Sequence, residues 1–483
     1  MGLPTVLRQL NPKIVVGAVY VSALFMTILD ATIVTVALPR MAAEFGVRAL
    51  DGRAVIIGYL LSLAVFMPAS GWFGDRWGSK RVFLAALGIF VGASTLCGLA
   101  ASLPQLVAFR IVQGVGGGLL TPVGLAMMLR TFAPAERVRA SRILTIPTTV
   151  APATGPVLGG LLTDQLSWRW AFFVNIPIGL LALAFGALAL VEWVEPTAGR
   201  FDIAGFLLSG AGLGSVMYAL NEGPTRGWTA PDALAAGITG IVLLAVLVVV
   251  ELRVAEPILR LRLLGARLFR SNVVVIFLGT AAFLGTLYLM PLFLQNGRGA
   301  SPLVSGLTTF PEAVGVLCSA QVVARIYPRV GPRRLQVIGL IGISVAMATM
   351  GFVGTVTAQW LIALLMFAMG ICMGMVFLPT QTAAFAATST TALGRAAALF
   401  NSMRQLGSAV GVALLSMIVS IVGSTGPGVD AAGLGLAAYH AGFVAAAVVA
   451  LTGAAMALTV RDGDAASTMR PVAADKQPLI EVG

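Results

Sequence analysis

Fourteen apolar runs punctuate this chain, each close to or above the roughly 20 residues a helix needs to cross bilayer hydrocarbon. They fall at about 14–38, 54–73, 82–101, 104–130, 138–163, 168–191, 203–220, 232–251, 270–295, 302–326, 335–354, 358–383, 395–422 and 438–459. No water-soluble fold of 483 residues can hide that much apolar chain, because 58% of the residues are hydrophobic and 10% are charged. An ordinary soluble domain is roughly 25% charged. Disordered chains are polar, so disorder is excluded as well. Outer-membrane strands are shorter and alternate in polarity, which these runs do not. The expectation is an all-α polytopic membrane protein. Its three cysteines, Cys97, Cys318 and Cys372, lie inside apolar runs and read as buried, reduced thiols with no redox or metal role.

The net charge of +12 does not point to nucleic acid, because the basic residues sit in short clusters between apolar runs. Arg40, Arg48, Arg53, Arg169, Arg226 and Arg298 fall in one set of alternate loops. Arg110 and Arg404 lie inside runs, and the rest of the 31 Lys and Arg residues occupy the other set. That asymmetry places the basic loops and both termini in the cytoplasm, and an even number of spans agrees with it. The first run is too long for a signal-peptide core and contains Asp30. A multi-pass protein of a bacterial cytoplasmic membrane is expected.

Two loops repeat one signature. Gly71-Trp-Phe-Gly-Asp75-Arg76-Trp-Gly78-Ser-Lys80-Arg81 aligns with Ala324-Arg-Ile-Tyr-Pro328-Arg329-Val-Gly331-Pro-Arg333-Arg334. Duplicated bundles of this kind are typical of secondary transporters. The predicted organisation is a six-helix bundle over 1–191, two extra helices with a linker over 192–269, a second six-helix bundle over 270–460, and a tail over 461–483.

Residues 71–81 resemble the loop signature of the major facilitator superfamily, with Phe73 and Ser79 departing from it. Leu29-Asp30-Ala-Thr32-Ile-Val34-Thr-Val36-Ala37-Leu38-Pro39 is similar to the first-span motif of that superfamily's fourteen-span drug:proton antiporters, the EmrB/QacA type, with Thr35 in place of the usual Asn. Arg110-Ile-Val-Gln113-Gly114-Val-Gly116 resembles the fourth-span arginine motif, and Gly155-Pro156-Val-Leu-Gly159-Gly160 the fifth-span motif of exporters. Each match alone is weak, but four in order at the right spans are specific. The resemblance covers nearly the whole chain. It implies the major facilitator fold: two six-helix bundles plus two extra central helices, fourteen in all.

Each motif has a functional and a plainer reading. Asp30, deep in its span, is either a protonatable or cation-contacting group or a structural hydrogen-bond acceptor near the outer end. Arg110 and Gln113 share a helix face at i, i+3. Arg110 keeps its proton, so it is either a fixed charge favouring deprotonation of a carboxylate or a brace between helices. Gly155, Pro156, Gly159 and Gly160 form, by resemblance, an antiporter hinge, or a generic close-packing stripe. Gly114 and Gly118 read better as packing. Gly71, Asp75, Arg76, Gly78, Lys80 and Arg81 form a conformational latch onto helix ends, a topology anchor, or both. Pro328 replaces the aspartate in the second copy, which is expected to keep orientation and lose the latch. Glu312 inside the span near 302–326 is either a coupling or substrate site or a residue of a wet vestibule. Asn401, Arg404 and Gln405 are candidates for the substrate cavity with Asp30, Gln113 and Glu312. His440 reads as a surface residue.

The sequence contains no G-x-x-x-x-G-K-[ST] loop, no metal-ligand spacing of His and Cys, and no polar segment long enough to fold as a catalytic domain. An enzyme is not expected, nor a cofactor. The expected function is proton-driven export of an amphipathic, cationic small molecule by alternating access, with Asp30, Arg110 and Glu312 handling protons and the molecule working as a monomer. Export of a self-made metabolite, antibiotic or lipid, or a non-transporting receptor on the same fold, are the alternatives.

Overall fold

The computed structural model describes residues 11–46, 54–195, 199–227, 229–254, 256–300, 302–354, 357–423 and 435–469. Arg8, Arg48, Arg53, Arg470 and Lys476, counted above for orientation, lie outside the described residues, as does most of the 461–483 tail. Among the described residues every regular element is a helix. Among the described residues twelve helices are long and apolar enough to cross a membrane, and thirteen if the bent pair α2 (Ala54–Phe66) and α3 (Ser70–Trp77) is one span. The two parts of that pair meet at 55° across Met67-Pro68-Ala69, where proline removes a backbone donor. The remaining apolar run, at about 138–163, is α6 (Arg137–Gln165), 29 residues long and richer in Thr and Pro, packed along α1 (Pro12–Glu44).

The first half is completed by α4 (Ser79–Gly98), α5 (Leu103–Thr131), the single turn α7 (Trp170–Phe173) and α8 (Asn175–Ala189). Two inserted helices follow, α9 (Ile203–Arg226) and α10 (Pro231–Arg253). The second half is α11 (Arg267–Leu292), α12 (Pro302–Val330), α13 (Pro332–Met350), α14 (Gln359–Ala384), α15 (Leu393–Gly423) and α16 (Leu436–Ala457), with α17 (Ala466–Met469) after it. Glycines set the closest crossings. A Cβ on Gly114 would lie 2.5 Å from the Tyr59 carbonyl oxygen, and one on Gly118 would lie 2.6 Å from that of Leu63, so α5 lies directly on α2. Gly114 and Gly118 are thus packing positions.

The two halves share a core at one end and keep separate cores at the other. At the basic-loop end, Met127, Phe132, Leu393, Ala397 and Phe400 belong to one cluster. At the opposite end, Leu29, Ile33, Trp168 and Phe172 pack within the first half, and Leu289, Phe293, Tyr439 and Phe443 within the second. The basic-loop end is further closed by Arg137, buried and donating to the Phe385 carbonyl, and by Thr382 Oγ1 donating to Ser141 Oγ at 3.1 Å.

Helix α9 packs against both α2 and α15, so it bridges the seam between the halves. Phe206 meets Phe66 edge-on at 5.5 Å, and Leu213 and Met217 join Ala64. Helix α10, by contrast, keeps most of its surface outward. One expectation about the thiols is corrected. Cys97 is buried and Cys372 half-buried, but Cys318 is exposed on the apolar surface of α12.

Candidate functional site

Asp30, Arg110, Gln113 and Asn175 converge inside the first half from three helices, α1, α5 and α8. Arg110 Nη1 lies 2.5 Å from Asp30 Oδ2. Gln113 Nε2 and Asn175 Nδ2 donate to Asp30 Oδ1 at 3.0 and 2.8 Å. The same Arg110 Nη1 donates to Gln113 Oε1 at 2.8 Å, and Arg110 Nε to the Val55 carbonyl at 3.4 Å. The guanidinium lies 4.4 Å from the Tyr59 ring centroid and 5.5 Å from that of Phe172. All four residues are at most 1% exposed. Burying charge without partners costs far more than the pair regains, so the arrangement holds only because the carboxylate oxygens and the guanidinium are occupied. Helix spacing places Arg110 and Gln113 on one face, which the sequence makes plain. Asn175 was not singled out, although a lone Asn in the apolar run near 168–191 carries the same signal as Asp30.

Gly155 marks the crossing of α1 and α6. A Cβ there would lie 1.9 Å from Thr32 Oγ1 and 2.7 Å from Thr32 Cβ. Gly159 is also buried, and Pro156 and Gly160 lie in the same helix.

The loop at 71–81 meets the second half. A Cβ on Gly71 would come within 2.9 Å of the Gly394 and Arg395 backbone, and one on Gly394 within 2.5 Å of Asp75 Oδ1. Asp75 therefore aims its carboxylate at the start of α15, where helix N–H groups favour negative charge. Its ion-pair partner is Arg130, with Nη2 at 2.7 Å from Oδ1. Arg130 also donates to Ser79 Oγ at 2.8 Å and stacks 3.5 Å from the Trp193 ring centroid. Arg76 and Arg81 are exposed, and Lys80 Nζ donates to the Ala187 carbonyl at 2.8 Å. Arg130 read in the sequence only as a loop charge.

Gly78 and Gly331 occupy the same place in the two repeats, with φ of 97° and 83°. Each Cβ slot is filled by a carboxylate that follows the sixth span of its own half. Glu192 accepts from the N–H groups of Lys80 at 2.9 Å and Arg81 at 3.2 Å, and Asp462 from that of Arg333 at 2.9 Å. The second copy thus lacks the Asp75 contact but keeps a carboxylate cap from elsewhere in the chain.

In the second half, Glu312 and Arg404 are half-buried. Glu312's main chain is pressed on α14, since a Cβ on Gly370 would lie 2.0 Å from its carbonyl oxygen. Among the described residues its carboxylate has no hydrogen-bond or ion-pair partner. Asn401 Oδ1 accepts from Arg404 Nη2 at 3.3 Å. Gln405 lines a small cavity with Ala64, Met67, Leu213, Met217 and Ser402. His440 opens α16, half-buried, with Nε2 2.9 Å from the Val353 carbonyl oxygen. No group of three or more His, Cys, Asp or Glu side chains able to hold a metal is present among the described residues.

A family model described as Major Facilitator Superfamily matches residues 20–412. The chain belongs to the major facilitator superfamily. This is a family of transporters, and the helical architecture is a member's. The chain is 32% identical over 409 residues to a "Multidrug resistance protein B homolog" of Mycobacterium tuberculosis, covering 84% of this chain and 76% of that protein. It is also 32% identical over 435 residues to a "Putative multidrug resistance protein MdtD" of Klebsiella pneumoniae, covering 88% and 90%. Among solved structures, the human organic anion transporter MFSD10 (TETRAN) superposes with a TM-score of 0.65 at 17% identity, covering 93% of this chain and 100% of that one. The proton:xylose symporter XylE does so with 0.61 at 14% identity, covering 92% and 95%. At such identities the likeness is one of fold.

Proposed function

We propose that this superfamily member is a proton-driven exporter of amphipathic compounds, cations among them, in a bacterial cytoplasmic membrane. The basic loops and both termini face the cytoplasm, so the end where the halves share a core is the cytoplasmic end and the conformation faces outward. The observation that carries the reading is the Asp30–Arg110 pair, 2.5 Å apart and shut off from solvent inside a membrane bundle. Ionisable groups so placed are costly and mark proton or ion relays. The names of the multidrug resistance relatives support drug export as the direction.

In this reading the Asp30 carboxylate accepts from three donors, Arg110, Gln113 and Asn175, and Arg110 is a permanent charge that cannot carry the proton itself. Protonating Asp30 would abolish its attraction for Arg110 and free α1 from α5. The tight α1–α6 crossing at Gly155 then sets how far α1 moves. Glu312, half-buried with no partner among the described residues, is the acid within reach of a proton or cationic substrate entering between the halves. Asp75 and Arg130 hold the cytoplasmic end shut until the cycle turns. Export from cells carrying wild-type protein should collapse when a protonophore dissipates the proton gradient. Export that persists without the gradient contradicts the proposal.

A further inference from the structure

The charges of the second half do not match an exporter of cations alone. Arg404 lies eleven residues into α15, about 16 Å from the start of the helix at 1.5 Å per residue. It is too deep to reach headgroups or the cytoplasm by extending along the helix. Across the seam it interacts electrostatically with Tyr20 of α1, whose hydroxyl donates to the Thr121 carbonyl at 2.9 Å. Met403, its chain neighbour, packs on the core that both halves share. Arg404 thus stands at the boundary between the halves, where an alternating-access cavity forms.

Arginine offers five N–H donors. At Arg404, among the described residues, one is used, in a 3.3 Å bond to Asn401 of the same helix. Two other buried arginines have a carboxylate partner, Arg110 in Asp30 and Arg130 in Asp75, while Arg137 donates to the Phe385 carbonyl and leaves its Nε without a partner among the described residues. Among the described residues, no carboxylate pairs with Arg404. A planar fork of free donors on a partly accessible permanent cation suits a planar or tetrahedral oxyanion bound through two parallel hydrogen bonds.

We propose that Arg404, steadied by Asn401, is a subsite for the oxyanionic group of an amphipathic substrate: a carboxylate, phosphate or sulfate carried on an apolar body. The inference rests on the transport reading above and widens its substrate class to anionic and zwitterionic amphipaths. Glu312 then meets the cationic group where there is one. The shared chemistry leaves two sources, a free amphipath or a lipid headgroup.

The test uses the full chain in phosphatidylcholine nanodiscs and two probes with one tail, 11-(dansylamino)undecanoate and the matching uncharged alcohol. Wild-type protein should bind the carboxylate more tightly than the alcohol. Arg404→Gln should remove that preference, a loss of about tenfold or more in carboxylate affinity with the alcohol unchanged. Arg404→Lys should keep part of it. Retained alcohol binding shows that a variant is folded. If Arg404→Gln loses both probes, Arg404→Lys carries the test, and full wild-type preference there overturns the proposal. An undiminished preference in Arg404→Gln, or none in wild type, overturns it directly. Adding phosphatidic acid to the nanodiscs separates the sources. Competition that vanishes in Arg404→Gln supports a lipid headgroup, and a preference indifferent to phosphatidic acid supports a free amphipath. Because binding is read without a proton gradient, failure here leaves proton coupling standing, and failure of coupling leaves this site standing.

Discussion

Asp75 and Gly394 are in contact across the two halves: a methyl group at position 394 would sit 2.5 Å from Asp75 Oδ1. The carboxylate of one bundle is thereby fixed at the first turn of a helix in the other, while Arg130 holds it from behind at 2.7 Å. Gly394→Ala should push the latch apart at little cost to folding. Cysteine labelling of a Thr390→Cys reporter should then rise relative to the same reporter with Gly394 intact. Asp75→Asn should raise it as well, through lost charge on the helix end. Unchanged labelling in both would reduce this loop to a topology anchor.

The buried pair predicts a non-additive cycle. Arg110→Ala leaves the buried Asp30 carboxyl without its ion-pair partner, a loss of about 3–5 kcal/mol. Adding Asp30→Asn removes the orphaned carboxyl and should restore much of the thermal stability in detergent, but not transport. Additive losses in unfolding temperature would contradict a mutually dependent pair.

The exporter stripe makes a steric prediction. Gly155→Ala places its methyl against Thr32, 1.9 Å from the hydroxyl oxygen. Export should fall sharply at normal protein level. Thr32→Gly in the same chain, which clears both the hydroxyl and the Cβ, should return part of it. If Gly155→Ala exports like wild type, the crossing tolerates movement and the stripe is no constraint on the cycle.

Much of this was legible in the sequence for a simple reason. Length and apolarity fix membrane helices almost independently of tertiary context, so twelve or thirteen of the fourteen runs recur among the described residues as helices long and apolar enough to cross. Intramembrane charges are rare enough that Asp30, Arg110, Glu312 and Arg404 each stood out. Their pairing did not follow from the sequence, because contacts between distant helices depend on the crossing geometry. Arg130 was invisible as Asp75's partner, since a loop arginine also serves orientation. Glu192 and Asp462 were invisible as caps, because each lies a half-bundle away from the glycine it covers. Cys318 was misread because an apolar run has a lipid-facing side as well as a packed one.

At the opposite end of the molecule, Glu44 accepts from Arg169 Nη1 and Trp168 Nε1, both at 2.6 Å. The Arg169 hydrogen bond, more than the Trp168 one, holds the carboxyl below its ordinary value of 4.5. A depressed carboxyl stabilises the fold above that value and loses its contribution as the pH falls through the folded-state pKa. The site is exposed, so the effect is small. Glu44→Gln should lower the unfolding temperature slightly at neutral pH, and the difference from wild type should shrink in acid below 4.5. A gap that widens in acid would contradict the assignment.

The central claim is that Asp30 ties proton movement to the conformational cycle. Proteoliposomes carrying wild type or Asp30→Asn separate the two halves of that claim, because counterflow exchange needs alternating access and substrate binding, whereas uphill accumulation also needs the proton. The account predicts that Asp30→Asn keeps substrate counterflow and loses accumulation driven by a pH gradient. Wild-type accumulation by Asp30→Asn would contradict it and leave the Asp30–Arg110 pair as a structural brace.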